Sequence, residues 1–215
     1  MKGFTMKALT VIGAAGIMAI AGAAKADTTI NFNSLGNDQA VPSNFGGSGN
    51  VTAAWTSTPG ALHSWNADSF YGDLSGGGSG AAYSVGGNST YTLTLSVPTG
   101  YQVLLKSFQL ADGNTGNNVA TLTVSVDGGT PTAVPGSGSA IYHYPGTGTP
   151  SHTDFSGLTY VGNQSIKLSV SDGAEGDMAI SNIVYGEQAI VVPEPATLSL
   201  LGLGAMGLIR RRRQA

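Results

Sequence analysis

An all-β fold, an antiparallel β-sandwich of jelly-roll-like type, is the architecture this 215-residue sequence predicts, and three observations carry it. Between residues 27 and 192 no segment repeats its apolar residues with a helical period. Several segments instead alternate apolar and polar residues with period two, as strands must when one face meets a core and the other meets water. The same stretch holds 26 Gly, and Gly, Asn and Asp cluster between the alternating segments as turn signals.

Taken in chain order, strands are expected near 28–33, 50–56 and 81–85, with Gly-rich connections at 46–49 and 76–80. Over 90–97, Tyr91, Leu93, Leu95 and Val97 face one way while Thr92, Thr94 and Ser96 face the other. Residues 101–111 also read as a strand, but Lys106 interrupts the apolar face of Leu104, Phe108 and Leu110. A bulge at Leu105 to Ser107 restores the alternation. Over 119–126, Leu122, Val124 and Val126 alternate with Thr121, Thr123 and Ser125. Shorter strands are expected near 131–134, 139–144 and 157–161. Ile166, Leu168 and Val170 then alternate with Lys167 and Ser169 within 164–171, and 178–185 closes the fold. Turn signals separate these runs at Pro98-Thr99-Gly100, Asp112-Gly113-Asn114, Asp127-Gly128-Gly129, Gly162-Asn163 and Asp172-Gly173. A body of roughly 160 residues is large enough for a sizeable core.

Charge divides the chain into three parts: a leader (1–26), the sandwich (27–187) and a C-terminal segment (188–215). Eleven of the twelve acids lie in 27–192 with only Lys106 and Lys167 against them, a formal charge of −9. Such a body repels phosphate backbones, so nucleic acid is excluded as a partner, while divalent cations and neutral polar ligands are not. With no Cys, the chain has no disulfide framework, thiol catalysis or Cys-ligated metal.

Lys2 and Lys7 precede an uncharged apolar run from Ala8 to Ala21, and Ala24-Lys25-Ala26 forms a small-residue exit before Asp27. This is the pattern of a secretory signal peptide cut between Ala26 and Asp27. At the other end, Val192-Pro193-Glu194-Pro195 is followed by the apolar run Ala196 to Ile209 and by Arg210, Arg211, Arg212 and Arg213. As a helix, that run of 14 residues reaches about 21 Å against a hydrocarbon core of about 30 Å, a deficit that snorkelling Arg side chains can offset. The Arg cluster is expected to stay cytoplasmic and the body to lie across the inner membrane. Pro193 and Pro195 keep the triplet extended, a form that a processing enzyme can grip.

These C-terminal residues resemble the PEP-CTERM protein-sorting signal. The resemblance implies recognition by an exosortase, cleavage near Pro193-Glu194-Pro195, transient anchoring in the inner membrane, and delivery to the cell surface or extracellular matrix. The last strand, Gly176 to Tyr185, is similar to the closing strand of galactose-binding-like jelly rolls, with Ser181 where those carry Asp. The G-x-G-x-x-G run from Gly202 to Gly207 lacks the strand, helix and distant acid of a nucleotide fingerprint.

Chemistry-bearing clusters in the body are few. Asp172, Glu175 and Asp177 lie within six residues between two strands, and such carboxylates can ligate calcium as readily as they can form a solvated turn. Among the aromatics, Trp65 and Tyr71 sit in polar, Gly-rich surroundings and are the candidates for stacking on a sugar; Trp55 and the rest read as core. Tyr142 and Tyr144 share a face if that segment is extended. No catalytic residue is assigned. There is no G-x-S-x-G, the three His (His63, His143, His152) form no motif, and nothing singles out a carboxylate pair. The expectation is therefore an exported, non-enzymatic β-sandwich with a structural or adhesive role in exopolysaccharide or biofilm. The alternatives are a carbohydrate-binding module, calcium-dependent or not, and a polysaccharide-active hydrolase.

Overall fold

The computed structural model describes residues 25–65, 80–84, 88–112, 120–138, 152–172 and 178–191, together with Gly202 and Gly204. Two antiparallel sheets face each other. The larger is built from β1 (Thr28–Ile30), β2 (Gln39–Ala40), β4 (Leu62–Trp65), β5 (Ala81–Ser84), β7 (Tyr101–Asp112), β10 (His152–Phe155), β11 (Tyr160–Gly162) and β13 (Met178–Ala189). Its order is β10-β7-β13-β5-β4-β2, with β1 on β13 and β11 on β7. The smaller contains β3 (Thr52–Thr58), β6 (Thr90–Ser96), β8 (Thr121–Val126), β9 (Thr132–Ala133) and β12 (Ser165–Ser171), in the order β3-β6-β12-β8-β9.

The alternating segments turn their apolar residues inward as the pattern predicts. Tyr91, Leu93 and Leu95 of β6, Leu122 and Val124 of β8, and Ile166, Leu168 and Val170 of β12 are all buried. They meet Val103, Leu105, Phe108 and Leu110 of β7 and Ile180, Ile183 and Tyr185 of β13 in one core. Each fully buried Leu or Ile contributes about 1.5–3 kcal/mol. Trp55 joins this core, donating from Nε1 to Phe45 O (2.8 Å) with its ring edge-on to Phe32.

The expected bulge is found, and it is one of two. Between the pairs Val184↔Ser107 and Tyr185↔Leu105, β7 carries an extra residue, Lys106. Between Ser181↔Gln109 and Val184↔Ser107 the extra residue is on β13, where Asn182 takes φ 47°. The two bulges compensate, so the ladder continues in register beyond them. They also correct the expected face of β7. Val103 and Leu105 point inward before Lys106, Phe108 and Leu110 after it, and Leu104 faces outward.

Three strands have no counterpart in the expected set: β2, β4 and β10. The segment 139–144 lies outside the described residues, and β13 runs on to Ala189. Lys25 N donates to Glu187 O (3.1 Å) and Ile190 N to Gly100 O (2.7 Å), so both ends of the described body leave from the same end of the sandwich. Gly202 and Gly204 have helical backbone; among the described residues no helix is long and apolar enough to cross a membrane.

Among the described residues the hydroxyls of Ser57 and of the core residue Tyr91 are buried and find no hydrogen-bond partner. Burial, and then the nearby Asp172 carboxylate, push this phenol well above its ordinary pKa, so it stays neutral. An unsatisfied buried hydroxyl costs about 1–3 kcal/mol. At about 1 kcal/mol, the low end of that range, Tyr91→Phe is expected to raise the melting temperature by about 2–4 °C. A fall on thermal unfolding would show that the hydroxyl has a partner.

Candidate functional site

The outer face of the larger sheet, turned away from the core, collects the polar and aromatic side chains. Strand register places His63, Tyr83, Ala179, Ala111 and His152 in one row across β4, β5, β13, β7 and β10. Side chains alternate between faces, so Trp65, Gln109 and Asp154 also lie on this outer face, two residues along their strands from the row. Ala81, Ala111 and Ala179 form a small apolar cluster of their own here, separate from the main core, with Trp65 and Tyr83 packed against it. Ala179 and Ala111 share the row of Tyr83, Ala81 lies in the next row opposite Trp65, and all three Ala are fully covered.

At that side Trp65 is half-buried and meets Tyr83 edge-to-face, ring centroids 6.0 Å apart at 84°. The Tyr83 hydroxyl donates to Asp38 Oδ1 (3.1 Å), which also meets His63 Nδ1 at 2.8 Å. At the other side a polar ladder crosses three strands. Asn182 Nδ2 donates to Gln109 Oε1 (2.7 Å), and Gln109 Nε2 donates to Asp154 Oδ1 (2.7 Å). His152 Nε2 lies 3.5 Å from the same carboxylate oxygen. The positive φ of Asn182 at its bulge re-aims that side chain toward Gln109.

Below this ladder a trough follows β7. One part, about 310 Å³, is lined by Gln109, Asp154, Asn182 and Phe155 among others. The next, about 610 Å³ and mostly apolar, includes Leu104, Lys106, Leu158, Tyr160 and Val161. Ser107, Ser156 and Val184 line both parts, so they form one continuous groove. Lys106 closes it, bound to Asp27 at 2.6 Å. Planar amides, a carboxylate and hydroxyls on the same face as half-buried rings are the groups that hold a polyhydroxylated ligand in water.

Of the residues singled out by sequence, Trp65 belongs to this face. Asp172 does not: it is buried at the end of β12, where one carboxylate oxygen accepts from Ser84 Oγ (2.8 Å) and the other from Ser89 N (2.5 Å). Tyr71, Glu175, Asp177, Tyr142, Tyr144, Ala24, Val192 to Pro195 and Arg210 to Arg213 lie outside the described residues, while Ala26 and Asp27 lead into β1. Ser181, at the position where galactose-binding-like strands carry Asp, is buried and donates to Gly80 O (2.8 Å). Sequence reasoning missed Gln109, Asn182, Asp154 and Asp38 and read Tyr83 as core, because only the folded arrangement brings them together on this face.

Fold and tail together define a β-sandwich protein with a C-terminal sorting segment. Residues 191–213 match the PEP-CTERM protein-sorting motif, which indicates export and exosortase-dependent sorting to the surface. No curated protein matches the chain. Among solved structures, the chain is similar to the carbohydrate-binding module TmCBM61, solved with β-1,4-galactotriose, at 16% identity over 64% of this chain and 88% of that one (TM-score 0.38). It is similar to the K2 cleaved adhesin domain of Lys-gingipain at 15% identity, over 74% and 97% of the two chains (TM-score 0.42). It also matches the enzymatically active domain of tailspike protein 4 of bacteriophage CBA120 at 20% identity, over 64% of this chain but 19% of that one (TM-score 0.32).

Proposed function

We propose that this is an exported surface protein whose non-enzymatic sandwich has an adhesive role in an exopolysaccharide matrix and binds neutral polysaccharide through the outer face of its larger sheet. The observation that carries the reading is the joint placement on that face of the Trp65–Tyr83 pair and the Asn182–Gln109–Asp154 ladder. The rings offer flat apolar surface to a sugar's C–H face, and the ladder offers donors and acceptors to its hydroxyls. The formal charge of −9 on residues 27–192 favours a neutral glycan over a polyanion.

Among the described residues of this face, Asp38 meets His63 of β4 and Asp154 lies on β10, four strand spacings or about 19 Å away, against the roughly 9.5 Å or less that glycoside hydrolysis needs between two carboxylates. In this reading the apolar run Ala196 to Ile209 holds the chain in the inner membrane until an exosortase cuts near Pro193-Glu194-Pro195.

Glycan-array binding tests the ligand. Trp65→Ala is expected to weaken binding at least tenfold, equivalent to about 1.4 kcal/mol. Trp65 lies outside the main core, so the variant should remain folded. Failure of the wild-type protein to bind any neutral glycan, or unchanged affinity in Trp65→Ala, would refute this use of the face.

A further inference from the structure

At the end of the sandwich where both termini leave, Glu187 is an acid with no role in the outer face. It is only 8% exposed. Asn50 orients it, donating from the backbone N to Oε2 (3.0 Å) and from Nδ2 to Oε1 (2.5 Å). Burial alone would raise the Glu187 pKa, but the two Asn50 donors and the Lys25 ammonium outweigh it and hold the carboxyl below its usual range. Lys25 Nζ approaches Oε2 at 3.6 Å.

The space for that ammonium is built into the backbone. Gly49 has φ +65°, and a Cβ there would lie 2.5 Å from Glu187 Oε2 and closer still to Lys25 Nζ. Two independent features, an oriented buried carboxylate and a glycine cradle beside it, thus converge on one small cation.

Lys25 precedes the signal cleavage point, so processing removes it. The bond from Lys25 N to Glu187 O sets Lys25 itself opposite Glu187, one residue out of the β1–β13 register (Thr28↔Tyr185). Asp27 is held independently: its carboxylate binds Lys106 Nζ (2.6 Å) and lies over Gly186. A cut after Ala26 would leave the new amino group on Asp27, which lies over Gly186, the neighbour of Glu187.

We propose that Glu187 is a receptor for a primary ammonium, filled by Lys25 in the unprocessed chain and by the α-ammonium of Asp27 in the mature one. The second occupant rests on cleavage between Ala26 and Asp27. Hydrolysis of that peptide bond consumes one water and yields the carboxylate of Ala26 and the ammonium of Asp27. The charged and titratable groups facing it are the Asp27 carboxylate, Lys106, Glu187 and the Tyr185 phenol, which donates to Gly46 O (2.9 Å). An ammonium that gains a carboxylate partner has its pKa raised, so less free amine is present at a given pH.

The test uses the exported full chain. N-terminal sequencing establishes the first residue. A zero-length carbodiimide should then join Glu187 to the Asp27 amine with loss of one water, mapped by mass spectrometry. In uncleaved chain retained in membranes, the same reagent should join Glu187 to Lys25. Acylation of the α-amine below its pKa should be about tenfold slower in the wild type than in Glu187→Gln, the ratio for a shift of one pKa unit. Asn50→Ala, which leaves the carboxylate in place but unoriented, serves as the milder variant and should give an intermediate rate. Equal rates in all three chains with no Asp27–Glu187 amide would overturn the mature occupant. A different first residue would refute the cleavage point and with it that occupant, while the Lys25–Glu187 product separately decides whether the ammonium site exists.

Discussion

Gly80→Ala is expected to lower the melting temperature by at least about 6 °C and to reduce the yield of folded protein sharply. Gly80 is where three segments meet. Phe32 N donates to Gly80 O (3.2 Å), Ser181 Oγ donates to the same oxygen (2.8 Å), and Gly80 N donates to Asn33 Oδ1. A Cβ at Gly80 would lie 2.6 Å from both Asn33 N and Phe32 O, and nearer still to Phe32 C. All of these are backbone atoms, so no rotamer change relieves the clash. Overpacking of this kind costs about 3 kcal/mol or more, and each kcal/mol lowers the melting temperature by about 2–4 °C in a domain of this size. Phe32 also stacks on Phe45 and abuts Trp55, so displacing it opens the core. A melting temperature within 2 °C or so of wild type, well inside the scatter of surface substitutions, would contradict this packing.

Asp172→Ala is expected to destabilise by about 3–5 kcal/mol. The carboxylate accepts from Ser84 Oγ and from the Ser89 backbone N–H, and all three residues are buried. Hydrogen bonds to a charged group contribute about 1.5–3 kcal/mol each, and the orphaned donors would remain out of water. These bonds tie the end of β12 to the end of β5 and to the residue before β6, linking the two sheets at one end. Asp172→Asn keeps one acceptor oxygen and should lose about half as much in denaturant unfolding. If the alanine variant matches the wild type, Asp172 is not the buried tie described here.

The contrast between these residues and the strands shows what sequence could reveal. β6, β8 and β12 are legible because one face is core and the other is water, and that asymmetry is written as alternation. The bulge on β7 is legible for the same reason: Lys106 breaks a pattern that only an extra residue can restore. β4 is not, since its inward Ser64 is polar and is accommodated by donating to Gly36 O (2.7 Å). β10, His-Thr-Asp-Phe, turns only Phe155 fully into the core. Asp172 resembles a solvated turn acid, because its partners are more than eighty residues away in sequence. In the candidate face, Trp65 was legible as a large ring in polar surroundings. The Asn182–Gln109–Asp154 ladder was not, since its members carry no local signal and are joined only by cross-strand register.

On the proposed route, the tail at 191–213 delivers a folded sandwich to the surface and is lost on the way. The intact mass of the protein recovered from the cell surface or surrounding matrix measures this directly. The expected form has its C-terminus near Pro193-Glu194-Pro195, with the apolar run and Arg210 to Arg213 absent. A surface form that retains Arg210 to Arg213 would contradict it.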